Sequence, residues 1–427
     1  MKIPTFLGGV CLLVGLLFPV DYLRSTTIDG LTSQALNNNA ELRFYQAEVT
    51  AMKGERTQAG LWKNPEISAQ YGERRIKAGD GSLQNKGTTR ELSIIQSFEF
   101  PGKGSLRKAI ANKNIELAEL GLLQFQRSLE GQVRSMALQY LTASTNADAA
   151  AEISERSSGL VKLLQERPSA GTQQLLELRI IEGSLIGLQQ SAKEFIQARE
   201  ETRLELNALL GFPSSQILKV ESLLEIPRIS MKDQNSLIMA GFSGNLQLKM
   251  RTVELEKAMK EVTAAKLDIA PDFSVGPFFS QDKAGDSEQN FGATLSLTFP
   301  LWNWNQGNIA TAKARQTQAD AMLLDARRKV ESEIARRYRA YELDRKQMEQ
   351  FSGDTMKKLR EASDLADRHY RTGTIGIQIF LEMQRGFLSS LQIRNDALLG
   401  VWKNWLDLDL LTGGAISNPQ NPNTTQQ

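Results

Sequence analysis

Apolar positions along this chain follow two periods, and the order in which those periods alternate occurs twice. From Asp29 to Trp62, residues Leu31, Ala35, Leu42, Tyr45, Val49 and Met52 recur at helical spacing with polar residues between them, and Pro65 ends the run. The period then drops to two. Ile67, Ala69 and Tyr71 alternate with Ser68, Gln70 and Gly72; beyond a Gly/Asp/Asn/Lys-rich loop at 78–87, Leu92, Ile94, Phe98 and Phe100 alternate with Ser93, Ser97 and Glu99. This predicts a hairpin with strands at about 66–73 and 90–100. From Ser105 a proline-free helix carries Ile115, Ala118, Leu122, Phe125, Leu129, Val133, Met136, Tyr140 and Ala143 in steps of three and four, the seam of a coiled coil. A turn at Arg167–Thr172 leads to a second helix that stops at Gly211-Phe212-Pro213.

The second half repeats each step. Leu246 to Leu267 is helical, Pro271 breaks it, and strands are expected at about 272–279 and 290–299 on either side of an acidic loop at 281–289. A helix from Asn308 to Tyr370 turns at Arg371–Thr374 and returns to Leu411. Landmarks keep their order: Leu61…Ser68 matches Leu267…Ser274, Val133 and Tyr140 match Ile334 and Tyr341, and Gly171-Thr172 matches Gly373-Thr374. A unit this long is no solenoid repeat of about 20–50 residues. The layout implies one body built from a repeat at 29–211, a linking equatorial segment at 212–235, a second repeat at 236–413 and a disordered polar tail at 414–427.

Composition removes several classes. Of 427 residues, 41% are apolar and 23% charged, with a net charge of +2, so no basic excess points to nucleic acid. One histidine, His369, and one cysteine, Cys11, leave almost nothing from which to build a metal site, a thiol nucleophile or a histidine base. No catalytic residues and no cofactor are expected. Met1-Lys2 followed by the apolar run Phe6–Val20 reads as a signal peptide over 1–24, too short for a spanning helix. Its removal takes Cys11 with it, which suits an oxidising compartment without disulfides.

Four strands that are apolar on one face and small or polar on the other match a transmembrane β-barrel, yet four strands cannot close and a membrane tolerates no open edge. Two solutions exist: burial against the chain's own helices, or completion by other copies. The narrow coiled-coil stripe offers little area to cover a sheet, which favours oligomerisation, and three copies supply twelve strands. On this reading Phe273, Val275, Leu295 and Leu297 face lipid, and Ser274, Thr294 and Ser296 face a lumen. Trp302 and Trp304 flank a strand end, where they serve either as an interfacial aromatic belt or as packing beneath the sheet. Tyr71 and Phe100 share that ambiguity. At 1.5 Å per residue the helix from Ser105 to about Gln165 spans roughly 90 Å, a length suited to a conduit.

Phe299-Pro300-Leu301-Trp302-Asn303-Trp304-Asn305-Gln306-Gly307-Asn308-Ile309 and the partner turn Phe98-Glu99-Phe100-Pro101-Gly102-Lys103-Gly104 resemble the TolC-like outer membrane efflux family, particularly its CzcC-like cation-efflux branch. The resemblance covers about 29–414. It implies a mainly α fold with a membrane β-barrel portion: a homotrimer whose twelve-stranded barrel continues as an α-helical periplasmic barrel. It implies docking to a periplasmic adaptor (membrane fusion) protein and an inner membrane pump of RND type, with export of small solutes, metal cations among them. By the same resemblance, Glu177 and Glu382 ring the pore constriction, and Gly171, Thr172, Gly373 and Thr374 form the adaptor-contact tips. Many relatives in that branch carry a lipidated cysteine after the signal, a pattern from which this chain departs. The competing class is a soluble periplasmic coiled-coil scaffold or adaptor, although an adaptor is expected to show one helical hairpin flanked by β modules. Pro101–Ser105 lacks the full spacing of a phosphate loop and reads as a strand-to-helix turn, and His369 reads as an exposed polar residue.

Overall fold

The computed structural model describes residues 27–166, 171–221, 226–230, 233–351 and 353–417. The expected signal peptide lies outside the described residues. Elements run α1 (Ile28–Asn38), α2 (Ala40–Ala59), β1 (Glu66–Lys77), β2 (Leu83–Phe98), α3 (Lys103–Glu166), α4 (Thr172–Leu210), α5 (Gln234–Gly244), α6 (Leu246–Leu267), β3 (Phe273–Ala284), β4 (Asp286–Leu297), α7 (Gln306–Gln350), α8 (Gly353–Arg371) and α9 (Ile377–Leu411).

The twofold repetition extends to backbone detail. The helix expected over 29–62 is broken at Asn39, whose side chain accepts from the amides of Glu41 and Leu42 at 2.9 and 3.2 Å. Asn245 does the same between α5 and α6, accepting from Leu248 N at 3.0 Å. Asparagine is a strong N-cap, so each restarts a helix after one extended residue. Gly211 and Gly413 both sit at positive φ (72° and 69°) where α4 and α9 end, a left-handed conformation that a Cβ disfavours. The second long helix differs from expectation. It is divided into α7 and α8 around Phe351 and Gly353, because glycine and serine weaken a helix without a proline being present.

The strands run further than expected. Of the segments anticipated as loops, 83–87 and all of 281–289 but Gly285 are strand, and the turns shrink to 78–82, closed by Ala78 N→Ser82 O at 2.9 Å, and to Gly285 at φ 98°. All four strands form one antiparallel sheet in the order β1-β2-β3-β4, with β1 and β4 at its edges. The tail also differs in its first residues. Ile416 is buried, and Ser417 donates its amide and hydroxyl to Asp409 at 2.9 and 3.0 Å, which fastens the chain end to α9.

Four apolar clusters hold the helices. Leu31, Leu129, Val133, Leu206 and Leu210 centre one core of the first repeat; Leu237, Ile334, Leu398, Val401 and Leu408 centre its counterpart in the second. The segment after Gly211 contributes to both, through Leu218 and Val220 to the first and Ile226 and Ile229 to the second. Towards the helical tips the repeats share their cores. Leu160, Val161 and Leu164 of α3 and Ile181 of α4 pack with Tyr370 of α8 and Ile377, Phe380 and Leu381 of α9. Burying each such side chain contributes about 1.5–3 kcal/mol, so the shared cores bind the two hairpins into one bundle.

Candidate functional site

Antiparallel register assigns every strand residue to a face, since directly opposed residues point the same way. Ile67 opposes Ile94, Ala69 opposes Leu92, Leu92 opposes Phe279, and Phe279 opposes Phe291. Val275 with Leu295, and Phe273 with Leu297, continue the same face towards the helices. This face is exposed although apolar: Phe291 is 82% and Leu295 65% accessible. The opposite face carries Ser68, Ser93, Ser97, Ser274, Thr294 and Ser296, with Ser97 Oγ and Ser274 Oγ in contact at 3.1 Å. Phe278 is a large apolar exception on it, as are Ile76 and Ile95. Its ring covers Gly292, where an added Cβ would meet it at 2.7 Å. Among the described residues no helix covers the apolar face, so burial against the described helices does not close the open sheet.

Two features of the sheet emerge only from the pairing of its strands. On the polar face stand Glu66, Glu91, Asp282, Asp286 and Glu288, with Arg74 the basic group among them. Arg74 pairs with Asp282 and lies 3.9 Å from Glu288. Past Tyr71 the outward face turns basic. Glu73-Arg74-Arg75-Ile76-Lys77 carries no apolar alternation, so nothing in the order of residues marked this stretch as strand.

Trp302 is 86% accessible, and Trp304 is exposed too. Neither packs beneath the sheet within this chain. Trp62, Phe299 and Leu301 are exposed at the same junction, and Asn305, at φ 57°, starts α7 there and donates to Ala265 O at 2.8 Å. Across the junction Lys103 Nζ reaches Asp272 Oδ1 at 2.9 Å and Ala270 O at 2.8 Å, fixing the root of β3 against the first turn of α3.

At the other end of the molecule, Gly373 (φ 74°) closes the α8–α9 turn, with Thr374 N donating to His369 O at 2.9 Å and the Thr372 and Thr374 hydroxyls 2.9 Å apart. Gly171 (φ 119°) and exposed Thr172 start α4; the preceding turn residues 167–170 lie outside the described residues. Glu382 is exposed, between the buried Leu381 and Gln384; Glu177 is half-buried. Ile180 and Ile379 remain exposed near them. Arg385 Nη2 of α9 donates to Ser184 Oγ of α4 at 3.1 Å, so the helices bearing the two glutamates touch.

Ionic contacts missed in the sequence tie the repeats together. Arg156 of α3 pairs with Glu152 and with Asp364 of α8, and Arg360 of α8 reaches Glu152 at 3.0 Å. The hydrogen bond that Arg156 donates to the Asp364 carboxylate holds its guanidinium above the ordinary pKa. Near the equatorial segment, burial pushes the Asp344 carboxyl up despite the hydrogen bond it accepts from Asn404 Nδ2 at 2.8 Å. These contacts have no period, which hid them. Among the described residues no cluster of metal-ligating side chains occurs, and no helix is long and apolar enough to cross a membrane.

Residues 242–414 match the family model described as outer membrane efflux protein, a span that coincides with most of the second repeat. The chain is 24% identical over 388 residues to the pyoverdine export outer membrane protein OpmQ of Pseudomonas putida, covering 84% of this chain and 80% of that protein. Its fold is similar to that of the outer-membrane channel OprN, with a TM-score of 0.72 and 18% identity over 91% of this chain and 90% of that one. It is also similar to the Campylobacter jejuni CmeC outer membrane channel, with a TM-score of 0.71 and 15% identity over 97% of this chain and 94% of that one. Residues 242–414 thus match the outer membrane efflux protein family, and the fold of the chain as a whole is that of outer membrane channels such as OprN and CmeC.

Proposed function

We propose that three copies of this chain assemble into a single export conduit, with a twelve-stranded barrel above and a helical tube below. The observation that carries this is the sheet itself, whose apolar outer face is uncovered and whose edge strands β1 and β4 each have one neighbour only. In hydrocarbon each unpaired backbone group costs several kcal/mol, and pairing β4 of one copy with β1 of the next removes every edge. Phe273, Val275, Leu295 and Leu297 then face lipid, and Trp302 and Trp304 lie in the interface on the helix side. Gly171, Thr172, Gly373 and Thr374 present the tips to a periplasmic adaptor, which couples the channel to an inner membrane pump of RND type. Glu177 and Glu382 line the narrow end.

The cargo we assign is small solutes that include metal cations. Supporting this are Glu66, Glu91, Asp282, Asp286 and Glu288 on the lumen face, which three copies turn into stacked acidic rings that attract cations and repel anions. The CzcC-like branch rests on the same reading. A second cargo class is favoured by the relative named for pyoverdine export. Reconstitution into planar bilayers separates these. A cation-selective conductance reduced by Glu91→Gln supports the cation reading, whereas an anion-selective conductance removes it and leaves the channel in place.

A further inference from the structure

Charge on this sheet is sorted by face. Beyond the outward apolar rows, Tyr71 opposes Arg90, Glu73 opposes Thr88, Arg75 opposes Lys86, and Thr88 opposes Lys283, all on the lipid-facing side. Lys77 ends the same row of β1. Glu73 is the acid within this group, held by Arg75 Nε at 2.6 Å and Lys86 Nζ at 3.2 Å. The lumen face at the same height is acidic. A strand surface shaped only for solubility would mix the signs on both faces; here Arg75, Lys77, Lys86, Arg90 and Lys283 point away from the channel, and Arg74 alone among the basic residues of the described strands points into it.

Their height decides what they meet. Arg90 stands two residues before Leu92, about 7 Å along the strand away from the helices, and Arg75 lies about 20 Å beyond Ala69. These positions fall at the end of the sheet away from the helices, immediately outside the apolar band and within reach of a headgroup layer. Arg90 lies over the Tyr71 ring, 5.7 Å from its centroid, so an aromatic residue and a cation share the boundary row. Arg75, Lys86, Arg90 and Lys283 are all exposed.

We propose that this outward belt of Arg75, Lys77, Lys86, Arg90 and Lys283 binds the phosphate groups of the anionic glycolipid in the outer leaflet. The proposal rests on the trimeric barrel reading. It adds a lipid of stated chemistry as a ligand of the outer face. Guanidinium groups take phosphate oxygens in bidentate fashion and lysines add point charges, while the apolar rows below receive the acyl chains. Three copies place such a cluster all round the barrel. Each basic residue beside an anionic lipid surface contributes roughly a fivefold gain in affinity.

The test uses the full chain, purified in neutral detergent, with binding of bisphosphorylated lipid A measured by native mass spectrometry and by the shift in Tm. The expected result is binding at least about tenfold tighter than that of enzymatically dephosphorylated lipid A. The variant Arg75→Gln/Lys86→Gln/Arg90→Gln/Lys283→Gln is expected to abolish that preference. Arg90→Gln/Lys283→Gln, on the inner strands where no edge pairing is disturbed, weakens it by an intermediate amount. Arg74→Gln, on the lumen face, leaves it unchanged. Equal binding of the two lipids, full binding by the four-site variant, an equal loss with Arg74→Gln, or displacement of the lipid by millimolar inorganic phosphate each overturns the proposal. Sedimentation of the same samples keeps the two readings apart: a monomeric wild-type protein removes the barrel, whereas a trimer that does not discriminate between the lipids removes only the belt.

Discussion

Tyr140 and Tyr341 occupy equivalent positions in the two repeats, and each sends its hydroxyl to a backbone carbonyl of the segment that links them: Leu218 O at 3.0 Å and Pro227 O at 2.7 Å. The segment is thereby pinned on both sides, with Leu218 and Val220 buried in one core and Ile226 and Ile229 packed on the other. Replacing either tyrosine by phenylalanine strands a carbonyl acceptor. Tyr341→Phe, in the more buried position, is expected to cost about 1–3 kcal/mol and Tyr140→Phe about 1 kcal/mol. Distant sites add, so the double variant is expected to sum the two in denaturant titrations. A double variant no worse than Tyr341→Phe alone would show that the two clamps act on one event.

Assembly follows from the unpaired edges. The protein is expected to sediment as a trimer in detergent, with β1 and β4 amides protected from hydrogen exchange. A monodisperse monomer that retains protection at both edge strands contradicts the closed barrel.

Leu295 and Ser296 are neighbours on β4 that point to opposite faces. Leu295→Arg is expected to destabilise by about 2–4 kcal/mol if it lies near the bilayer midplane, whereas Ser296→Arg is tolerated and changes conductance. Similar tolerance at both positions would count against the assignment of faces.

Glu382 gives the narrow end its charge on this reading. Glu382→Gln is expected to reduce cation selectivity and divalent block with the fold intact, because the isosteric amide fits the same exposed position. Glu166→Gln, at the end of α3, serves as the comparison. If both changes have the same effect, Glu382 is not a constriction residue.

Asp344 supplies a pH signature. Burial raises its folded pKa above the ordinary 3.8, so its contribution to stability is complete below about pH 3.8 and is lost as pH rises through the folded value. Asp344→Asn is expected to flatten the Tm profile on the acidic side and leave Tm at pH 7 equal or higher. A profile parallel to that of the wild type would place the raised pKa elsewhere. Gly400→Ala probes the same contact from α9, since a Cβ there would meet Asp344 Oδ2 at 2.5 Å; overpacking of this kind costs about 1–3 kcal/mol.

Much of the architecture was legible in the order of residues, because helix and strand periods are local properties. The twofold plan, the α3 and α4 spans, the turn glycines and the shared apolar face of Phe273, Val275, Leu295 and Leu297 all come from spacing that neighbours along the chain impose. Strand length was not legible. Segments 83–87, 281–284 and 286–289 hold the polar residues of a loop, and they are strand because they find partners across the sheet. Only tertiary pairing brings Arg74 beside Asp282, from opposite repeats. The same holds for the Arg156–Asp364 pair and for the tyrosine clamps. Periodicity tells which side of an element must leave water. Which element meets it, and at what register, is decided by packing and hydrogen bonding between residues hundreds of positions apart.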